Sequence, residues 1–230
     1  MKYDEVLSRL HSLSNPENIQ GMARYGINPK NNFGVSIYKL RPFAKEIGTN
    51  HQLALQLWDS GIHDARLLAV FIEDPNLVTS EQMDSWAAVF DSWDVCDQTC
   101  TSLFDRTKYA WKKVFEWAKR DEEFVRRAAF SIIAGLAVHD KAAPDQQFEK
   151  LFSLISLYAV DERNYVKKAV NWALRNIGKR NMALNKKAIR CAQELLKKDS
   201  SSARWIARDA IRELTSEKIQ KRMQRKKKKT

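Results

Sequence analysis

A repeat in the second half of the chain is the feature that most restricts how this sequence can fold. Its three copies are VRRAAFSIIAGL (125–136), VKKAVNWALRNI (166–177) and ARDAIREL (207–214). Ala128, Ala169 and Ala210 hold the same place in these copies, at a constant spacing of 41 positions. Because chance similarity between amphipathic helices rarely gives two equal spacings, the copies are interpreted as repeats of one structural unit.

Apolar residues recur at helical spacing along nearly the whole chain, and alternating strand-like runs are hard to find. Helix-length segments are separated by the breaks Asn15–Pro16, Asn28–Pro29, Asp74–Pro75, Ala143–Pro144 and Asp199–Ser202. These breaks predict about ten to twelve helices. A period near 40 with two helices per unit is typical of HEAT-like solenoids, in which each unit buries its apolar face only by stacking on its neighbours. The fold class is therefore predicted to be all-α. The N-terminal half shows helices but no clean register, so any repeats there have diverged.

The length of 230 residues allows one large domain or two small ones. We expect a repeat domain over residues 1–216, followed by a basic, disordered tail over residues 217–230. The tail holds eight Lys and Arg residues and one Glu, and therefore supplies seven of the net twelve positive charges. A basic body with a basic tail favours a polyanionic partner.

Targeting and redox signals are few. No apolar run approaches the length of a transmembrane helix, and residues 1–20 lack an apolar signal segment. The cysteines at 96, 100 and 191 form neither a zinc nor a thioredoxin spacing, so we interpret them as structural and expect no metal. The chain is expected to be cytoplasmic, without a membrane contact.

Basic residues recur beside the repeated alanine. They are Arg126, Arg127, Lys167, Lys168 and Arg208 before it, and Arg175 and Arg212 after it. If these helices line the concave side of a solenoid, the cations form a track suited to phosphates. The alternative is an ordinary solvated face.

The segment FDSWDVCDQTC (90–100) concentrates three aspartates in a basic chain. A helix is expected to start near Asp91, with Asp91 as its N-cap and Asp94 in the first turn. Asp97 has no such explanation and lies one turn after Trp93, on the same helix face. A buried structural acid and a catalytic carboxylate beside an aromatic platform both fit this spacing. Trp172, where the previous repeat has Ser131, is either a core filler or a residue lining a site.

At these residues the chain resembles the DNA alkylation repair proteins of AlkD type, the HEAT-like-repeat DNA glycosylases. The similar blocks are MARYGI (22–27), GVSIYKLRPFAKEI (34–47), LWDSGIHDARLLA (57–69), FDSWDVCDQ (90–98), FVRRAAF (124–130), VHDKAAPD (138–145), DERNYVKKAVNWALRNIGKRN (161–181) and SARWIARDAIREL (202–214). The resemblance implies a right-handed superhelical solenoid with a concave basic cleft. It covers nearly the whole chain and leaves out the basic tail.

The resemblance also assigns roles. It places the catalytic aspartate at Asp97 and the cleft tryptophans at Trp93 and Trp172. The expected DNA-binding residues are Tyr25, Arg127, Lys168, Arg175 and Arg208, where Lys168 and Arg208 come from the repeated basic positions. The family's best-known form has a tryptophan where this chain has Ser92, a difference that bears on lesion range.

The function implied is excision of N3- and N7-alkylated purines from double-stranded DNA by a monomer, with no cofactor. Such bases carry a positive charge, so they leave as neutral molecules, and a single carboxylate can stabilise the oxocarbenium ion that forms. Two alternatives remain. One is a non-catalytic solenoid that binds damaged or branched DNA, and the other is a protein-interaction scaffold whose basic tail is incidental.

Overall fold

The computed structural model describes residues 1–227, with side chains through Gln224, and contains fourteen α-helices and no β-strand in that range. The prediction of an all-α fold is confirmed. The helices outnumber the predicted ten to twelve because some breaks carry no proline. Gly48 and Gly61, with φ of 76° and 68°, lie at two of these breaks.

The helices form two compact units, and the first spans Met1–Tyr109. Its helices are α1 (Tyr3–Ser12), α2 (Pro16–Arg24), α3 (Ile37–Ile47), α4 (His51–Asp59), α5 (His63–Ile72), α6 (Ser80–Ala88) and α7 (Trp93–Ser102), followed by a 3-10 turn (Phe104–Arg106). Helix α5 is central and packs against α3, α4 and α7. Since α5 is apolar on nearly every side, almost all of its residues are buried.

An aromatic cluster fills the core beside α4 and α6. The rings of Trp58 and Trp86 stack in parallel with 3.9 Å between their centroids, and Phe90 meets Trp58 edge-on at 6.1 Å. Both tryptophans are buried. Their burial accounts for two of the seven tryptophans of the chain as core residues.

The second unit begins at Ala110. Its helices are α8 (Ala110–Trp117), α9 (Glu123–His139), α10 (Asp145–Tyr158), α11 (Asn164–Gly178), α12 (Met182–Leu196), α13 (Ser201–Leu214) and α14 (Glu217–Lys227). Helices α9, α11 and α13 pack side by side in one layer, while α10 packs against α12 in the other. The repeated residues Ala128, Ala169 and Ala210 are fully buried in α9, α11 and α13. The prediction of stacked two-helix repeats is confirmed for this unit.

Contacts between successive repeats are close and follow the sequence period. The Asn176 side chain on α11 donates a buried hydrogen bond of 3.0 Å to the carbonyl of Ala134 on α9. On the other side of α11, a Cβ at Gly178 would lie 2.7 Å from the Leu214 side chain and 3.0 Å from that of Ala188. Gly178 therefore permits a helix approach that a larger residue would prevent.

The C-terminal segment differs from the prediction. Residues 217–227 form α14, so the expectation of a disordered tail was wrong over this range. Ile219 and Met223 lie one helical turn apart and are buried, because α14 packs on α12 and α13, whereas Lys221 and Arg222 stay exposed. The rest of the predicted tail, residues 228–230, lies outside the described residues.

No helix within residues 1–227 is both long enough and apolar enough to cross a membrane.

Candidate functional site

Helix α7 carries the Trp93 and Asp97 pair. Trp93 is its first residue and Asp97 follows one turn later, and both side chains are half-buried. The prediction that Asp91 is the N-cap was wrong, because Ser92 holds that position and makes no capping hydrogen bond with its side chain. Asp91 instead accepts a hydrogen bond of 2.7 Å from the Asn28 side-chain amide.

Ser92 and Asp91 together attach α7 to the loop between α2 and α3. The buried Ser92 hydroxyl oxygen accepts a hydrogen bond of 2.9 Å from the Asn28 backbone N–H. A tryptophan at this position, as in the family's best-known form, lacks that acceptor. The Ser92 difference therefore has a structural role in this chain.

Asp94 occupies the first turn of α7, as predicted, but its carboxylate has a specific partner. His63, the first residue of α5, brings its Nε2 to 2.9 Å from Asp94 Oδ2. Burial lowers the pKa of His63, but the hydrogen bond to Asp94 and the negative charges of Asp94, Asp64 and Asp91 outweigh this effect and raise it above the ordinary value. Sequence reasoning missed His63, for which the only signal was a histidine beside Asp64 at a helix start.

The indole of Trp93 is fixed by the loop that follows α2. Its Nε1 donates a hydrogen bond of 2.9 Å to the backbone carbonyl of Tyr25, whose own ring is 78% exposed. The same loop is held at its far end by Asp64, which accepts hydrogen bonds from the backbone N–H groups of Phe33 at 2.6 Å and Val35 at 2.7 Å. The Trp93 indole is therefore positioned by a loop backbone that is itself held by hydrogen bonds.

The buried face of α7 is made by Val95, Cys96, Thr99 and Cys100. Cys96 and Cys100 are fully buried and unbridged, as expected for structural residues. Burial and the hydrogen bond with Cys96 raise the pKa of the Cys100 thiol well above its ordinary value, so the thiol stays neutral. The residues of α7 that reach the surface are therefore the polar and aromatic ones.

In the 90–100 segment, the Asp91 carboxylate is bonded to Asn28 and the Asp94 carboxylate to His63. Asp97 is the carboxylate that shares a face with Trp93. Its backbone carbonyl accepts a hydrogen bond of 2.8 Å from the Thr101 hydroxyl one turn later, which supports the helix at that point. The assignment of Asp97 as the catalytic carboxylate stays a prediction.

In the second unit, Trp172 lies half-buried on α11 and its neighbours are tied to α13. The Asn171 side-chain amide donates a hydrogen bond of 2.7 Å to Asp209. Arg175 is paired with Glu213 at 2.6 Å and with Asp209 at 3.4 Å. Arg175, predicted to bind DNA, is thus engaged by two carboxylates of the next repeat.

The other predicted DNA-binding cations divide into two kinds. Arg127 is buried and donates a hydrogen bond of 2.6 Å to the Tyr165 carbonyl, over whose ring its guanidinium lies. Lys168 and Arg208 are exposed and form no ion pair with a carboxylate within residues 1–224. Recurrence of basic residues therefore reflects repeat packing at some positions and surface charge at others.

Trp205 on α13 was missed by sequence reasoning. Its side chain is 41% exposed, and the Lys167 ammonium lies 5.3 Å from the ring centroid. An exposed tryptophan beside a cation is suited to stacking with a nucleobase. The available signal was the tryptophan in SARWIARD, at a helix position where core packing was equally plausible.

Comparisons with known proteins show the family and the fold of this chain. The sequence profile of the DNA alkylation repair enzyme family matches residues 6–214. The chain belongs to this family. The predicted resemblance is confirmed, and the matched range includes every predicted site residue from Tyr25 to Arg208 and ends before α14.

Two proteins of Listeria species are distantly similar in sequence to this chain. An uncharacterised protein of Listeria innocua is 23% identical over 197 residues, which is 84% of this chain and 86% of that protein. Another from Listeria monocytogenes is 23% identical over 134 residues, which is 56% of this chain and 60% of that protein.

One solved structure is similar over nearly its full length. It is described as a new family of proteins related to the HEAT-like repeat DNA glycosylases with affinity for branched DNA structures. It matches with a TM-score of 0.78 and 22% identity, and covers 92% of this chain and 95% of that chain. This likeness confirms the predicted HEAT-like-repeat fold.

Proposed function

We propose that this protein is a monofunctional DNA glycosylase that removes N3- and N7-alkylated purines from double-stranded DNA. The main support for this proposal is the half-buried pair Trp93 and Asp97 on one face of α7. The neighbouring carboxylates have structural contacts, Asp91 with Asn28 and Asp94 with His63, and Asp97 is the acid one helical turn from Trp93. Membership of the DNA alkylation repair enzyme family supports the assignment.

The proposed chemistry needs one carboxylate. An alkylated purine carries a positive charge, so its bond to C1′ breaks with both electrons going to the base, and the base leaves neutral. The deoxyribose is left as an oxocarbenium ion, which the negative charge of Asp97 stabilises. Asp97 also orients a water molecule whose oxygen bonds to C1′ as its proton passes to the carboxylate and then to solvent.

The indole of Trp93 has a supporting role. An aromatic face attracts a cation through its quadrupole, and attraction to the alkylated base fades once the base becomes neutral. Because its N–H is bonded to the Tyr25 carbonyl, Trp93 holds one orientation without rearranging when DNA binds. The roles of Tyr25, Arg127, Trp172 and Arg175 remain those that the family resemblance implies, and each is tested by its own substitution.

A second candidate function is binding of branched DNA without base excision. The solved protein of the same fold is described as having affinity for branched DNA structures. On this chain, the exposed Trp205 lies beside Lys167, and Lys168 and Arg208 are exposed on the same two helices. Exposed aromatics with cations bind unpaired bases and backbone without sequence preference.

One experiment separates the two candidates. The protein is incubated with duplex DNA containing 7-methylguanine, and the free base released is measured by mass spectrometry. Affinities for the undamaged duplex and for a four-way junction are measured in parallel. Release of the free base at a rate proportional to enzyme concentration supports the glycosylase. No release, together with junction binding much tighter than duplex binding, would instead establish the binder.

The DNA-contact residues are tested with a matched pair of variants. The double variant Lys168→Gln and Arg208→Gln removes two exposed cations from α11 and α13. The control double variant Lys186→Gln and Arg190→Gln removes two exposed cations from α12, in the other layer. If Lys168 and Arg208 contact phosphates, only the first variant lowers the salt dependence of DNA affinity, by roughly 0.9 in slope per lost contact.

A further inference from the structure

A cavity of about 390 Å³ opens on the first unit, between the C-terminal parts of α3 and α7. Its lining includes the cations Arg41, Lys45 and Arg106, the hydroxyls of Thr49 and Ser102, and the ring of Phe71. Its volume is at the lower end of the range of about 300–1,000 Å³ that small-molecule sites occupy. None of these residues belongs to the Trp93 and Asp97 pair.

Arg41 is an exposed residue at the wall of this cavity and has two contacts that orient its guanidinium. Its guanidinium lies 4.8 Å from the centroid of the Phe71 ring, and its Nη2 donates a hydrogen bond of 3.1 Å to Gln98 Oε1. Gln98 also lies 3.4 Å from the Ser102 hydroxyl, so the two α7 residues form one connected edge. A stacked and hydrogen-bonded arginine keeps its remaining N–H donors in a fixed fork, which is the geometry that matches phosphate oxygens.

The charge around the cavity is uncompensated. Within residues 1–224, no ion pair joins Arg41, Lys45 or Arg106 to a carboxylate, whereas the adjacent Glu46 pairs with Arg9 at 2.6 Å. Cations near helix C-termini complement the helix dipole, and this accounts for Lys45 in the last turn of α3. The helix dipole does not explain why three cations line one cavity. Like charges this close repel each other, and a bound anion would reduce that repulsion.

We propose that this cavity binds a phosphate group, either a phosphodiester of a DNA strand or the phosphate of a free nucleotide. The guanidinium of Arg41 forms the bidentate contact, Lys45 and Arg106 supply charge, and the Thr49 and Ser102 hydroxyls donate hydrogen bonds. Since Gln98 directly follows Asp97 on α7, a strand phosphate bound here is fixed to the helix that carries the candidate carboxylate. The inference goes beyond base excision, because phosphate binding requires no damaged base.

The test uses the full chain labelled with ¹⁵N and follows the backbone amide signals of Gly48, Thr49 and Ser102. Three ligands are titrated separately: inorganic phosphate, deoxyadenosine monophosphate and a short undamaged duplex. Sodium chloride at equal ionic strength is the reference for each. We expect saturable shifts at these three amides that chloride does not produce. Shifts with all three ligands identify the DNA strand as a source, and shifts with phosphate and the nucleotide alone identify a free phosphate.

Two exposed-cation variants decide the assignment. The variant Arg41→Gln with Lys45→Gln removes two cations from the cavity, and the matched variant Lys39→Gln with Lys119→Gln removes two exposed cations elsewhere. We expect the first to weaken binding of the ligand that gave saturable shifts by about tenfold and the second to change it little. Arg41→Lys, which keeps the charge but loses the fork, is expected to lie between them.

The proposal is overturned if phosphate and chloride give the same shifts, or if the control variant weakens binding as much as the cavity variant. Neither result depends on base release, so the outcome is independent of the glycosylase assignment.

Discussion

The indole N–H of Trp93 donates a hydrogen bond of 2.9 Å to the backbone carbonyl of Tyr25, which joins the first turn of α7 to the end of α2. Replacing Trp93 with Phe keeps an aromatic ring but leaves that carbonyl without its donor. We expect the variant to lose about 1 kcal/mol of stability. Base release should fall roughly ten- to hundredfold, because the ring is no longer fixed.

Trp111→Phe provides the control for this change. Trp111 also donates an indole hydrogen bond, of 3.1 Å, to Asp140 in the second unit. Loss of this hydrogen bond should lower the free energy of unfolding by a similar amount and leave base release unchanged. Equal losses of activity in the two variants would show that the Trp93 effect is general destabilisation.

The His63 and Asp94 pair should make stability depend on pH. The pKa of His63 is raised in the folded protein, so the protonated histidine stabilises the fold fully below its unfolded pKa of about 6.5, and this contribution is lost as pH rises through the folded pKa. Thermal unfolding between pH 5.5 and pH 8.5 should show this decline in the wild type. His63→Gln should remove it and give a flatter profile.

Asp94→Asn tests the same pair from the other side. Loss of the carboxylate leaves His63 buried beside an uncharged amide, and the free energy of unfolding should fall by roughly 3 kcal/mol at pH 6. Asp91→Asn, which changes the same charge at an exposed site, should cost far less. If both variants lose the same stability, the buried pair has no special role.

The contact at Gly178 should be sensitive to a single methyl group. Gly178→Ala places a Cβ 2.7 Å from the buried Leu214 side chain, and overpacking of this kind costs about 1–3 kcal/mol. Gly21→Ala adds the same methyl within α2, where no atom lies within 4 Å. That variant should gain about 0.5–1 kcal/mol, because alanine favours a helix. Chemical denaturation measures both, and a stable Gly178→Ala would contradict the described approach of the helices.

Helix α14 should contribute to the folded domain. Met223→Ala removes a fully buried side chain and is expected to cost about 2–4 kcal/mol. Lys221→Ala removes only an exposed pair with Glu217 and should cost less than about 1 kcal/mol. Equal and small effects of the two substitutions on urea unfolding would restore the original expectation of an unpacked tail.

Much of the fold could be predicted because its signals are local. The 41-residue spacing of Ala128, Ala169 and Ala210 required repeated close packing, and all three are buried in stacked helices. The prediction of a disordered tail rested on its eight basic residues and overlooked Ile219 and Met223, whose spacing of four residues is typical of a helix. The net charge of a segment does not indicate whether its few apolar residues lie on one helix face and pack against the repeat.

The site was predicted less completely because its partners are distant in sequence. Nothing near Asp94 indicates His63, which is 31 residues away, and nothing near Trp93 indicates the Tyr25 carbonyl, which is 68 residues away. Likewise, basic residues before each repeated alanine suggested one track of charge. Arg127 is buried, however, and Arg175 is paired with acids of the next repeat. Side-chain burial depends on packing that sequence periodicity alone does not specify.

The role proposed for Asp97 as the catalytic carboxylate is tested by comparing Asp97→Asn with Asp91→Asn in release of 7-methylguanine from duplex DNA. Both variants lose one charge, and they lie six residues apart. We expect Asp97→Asn to reduce the single-turnover rate by about a hundredfold or more, with duplex affinity kept, and Asp91→Asn to stay close to the wild type. Release by Asp97→Asn at the wild-type rate would contradict that role.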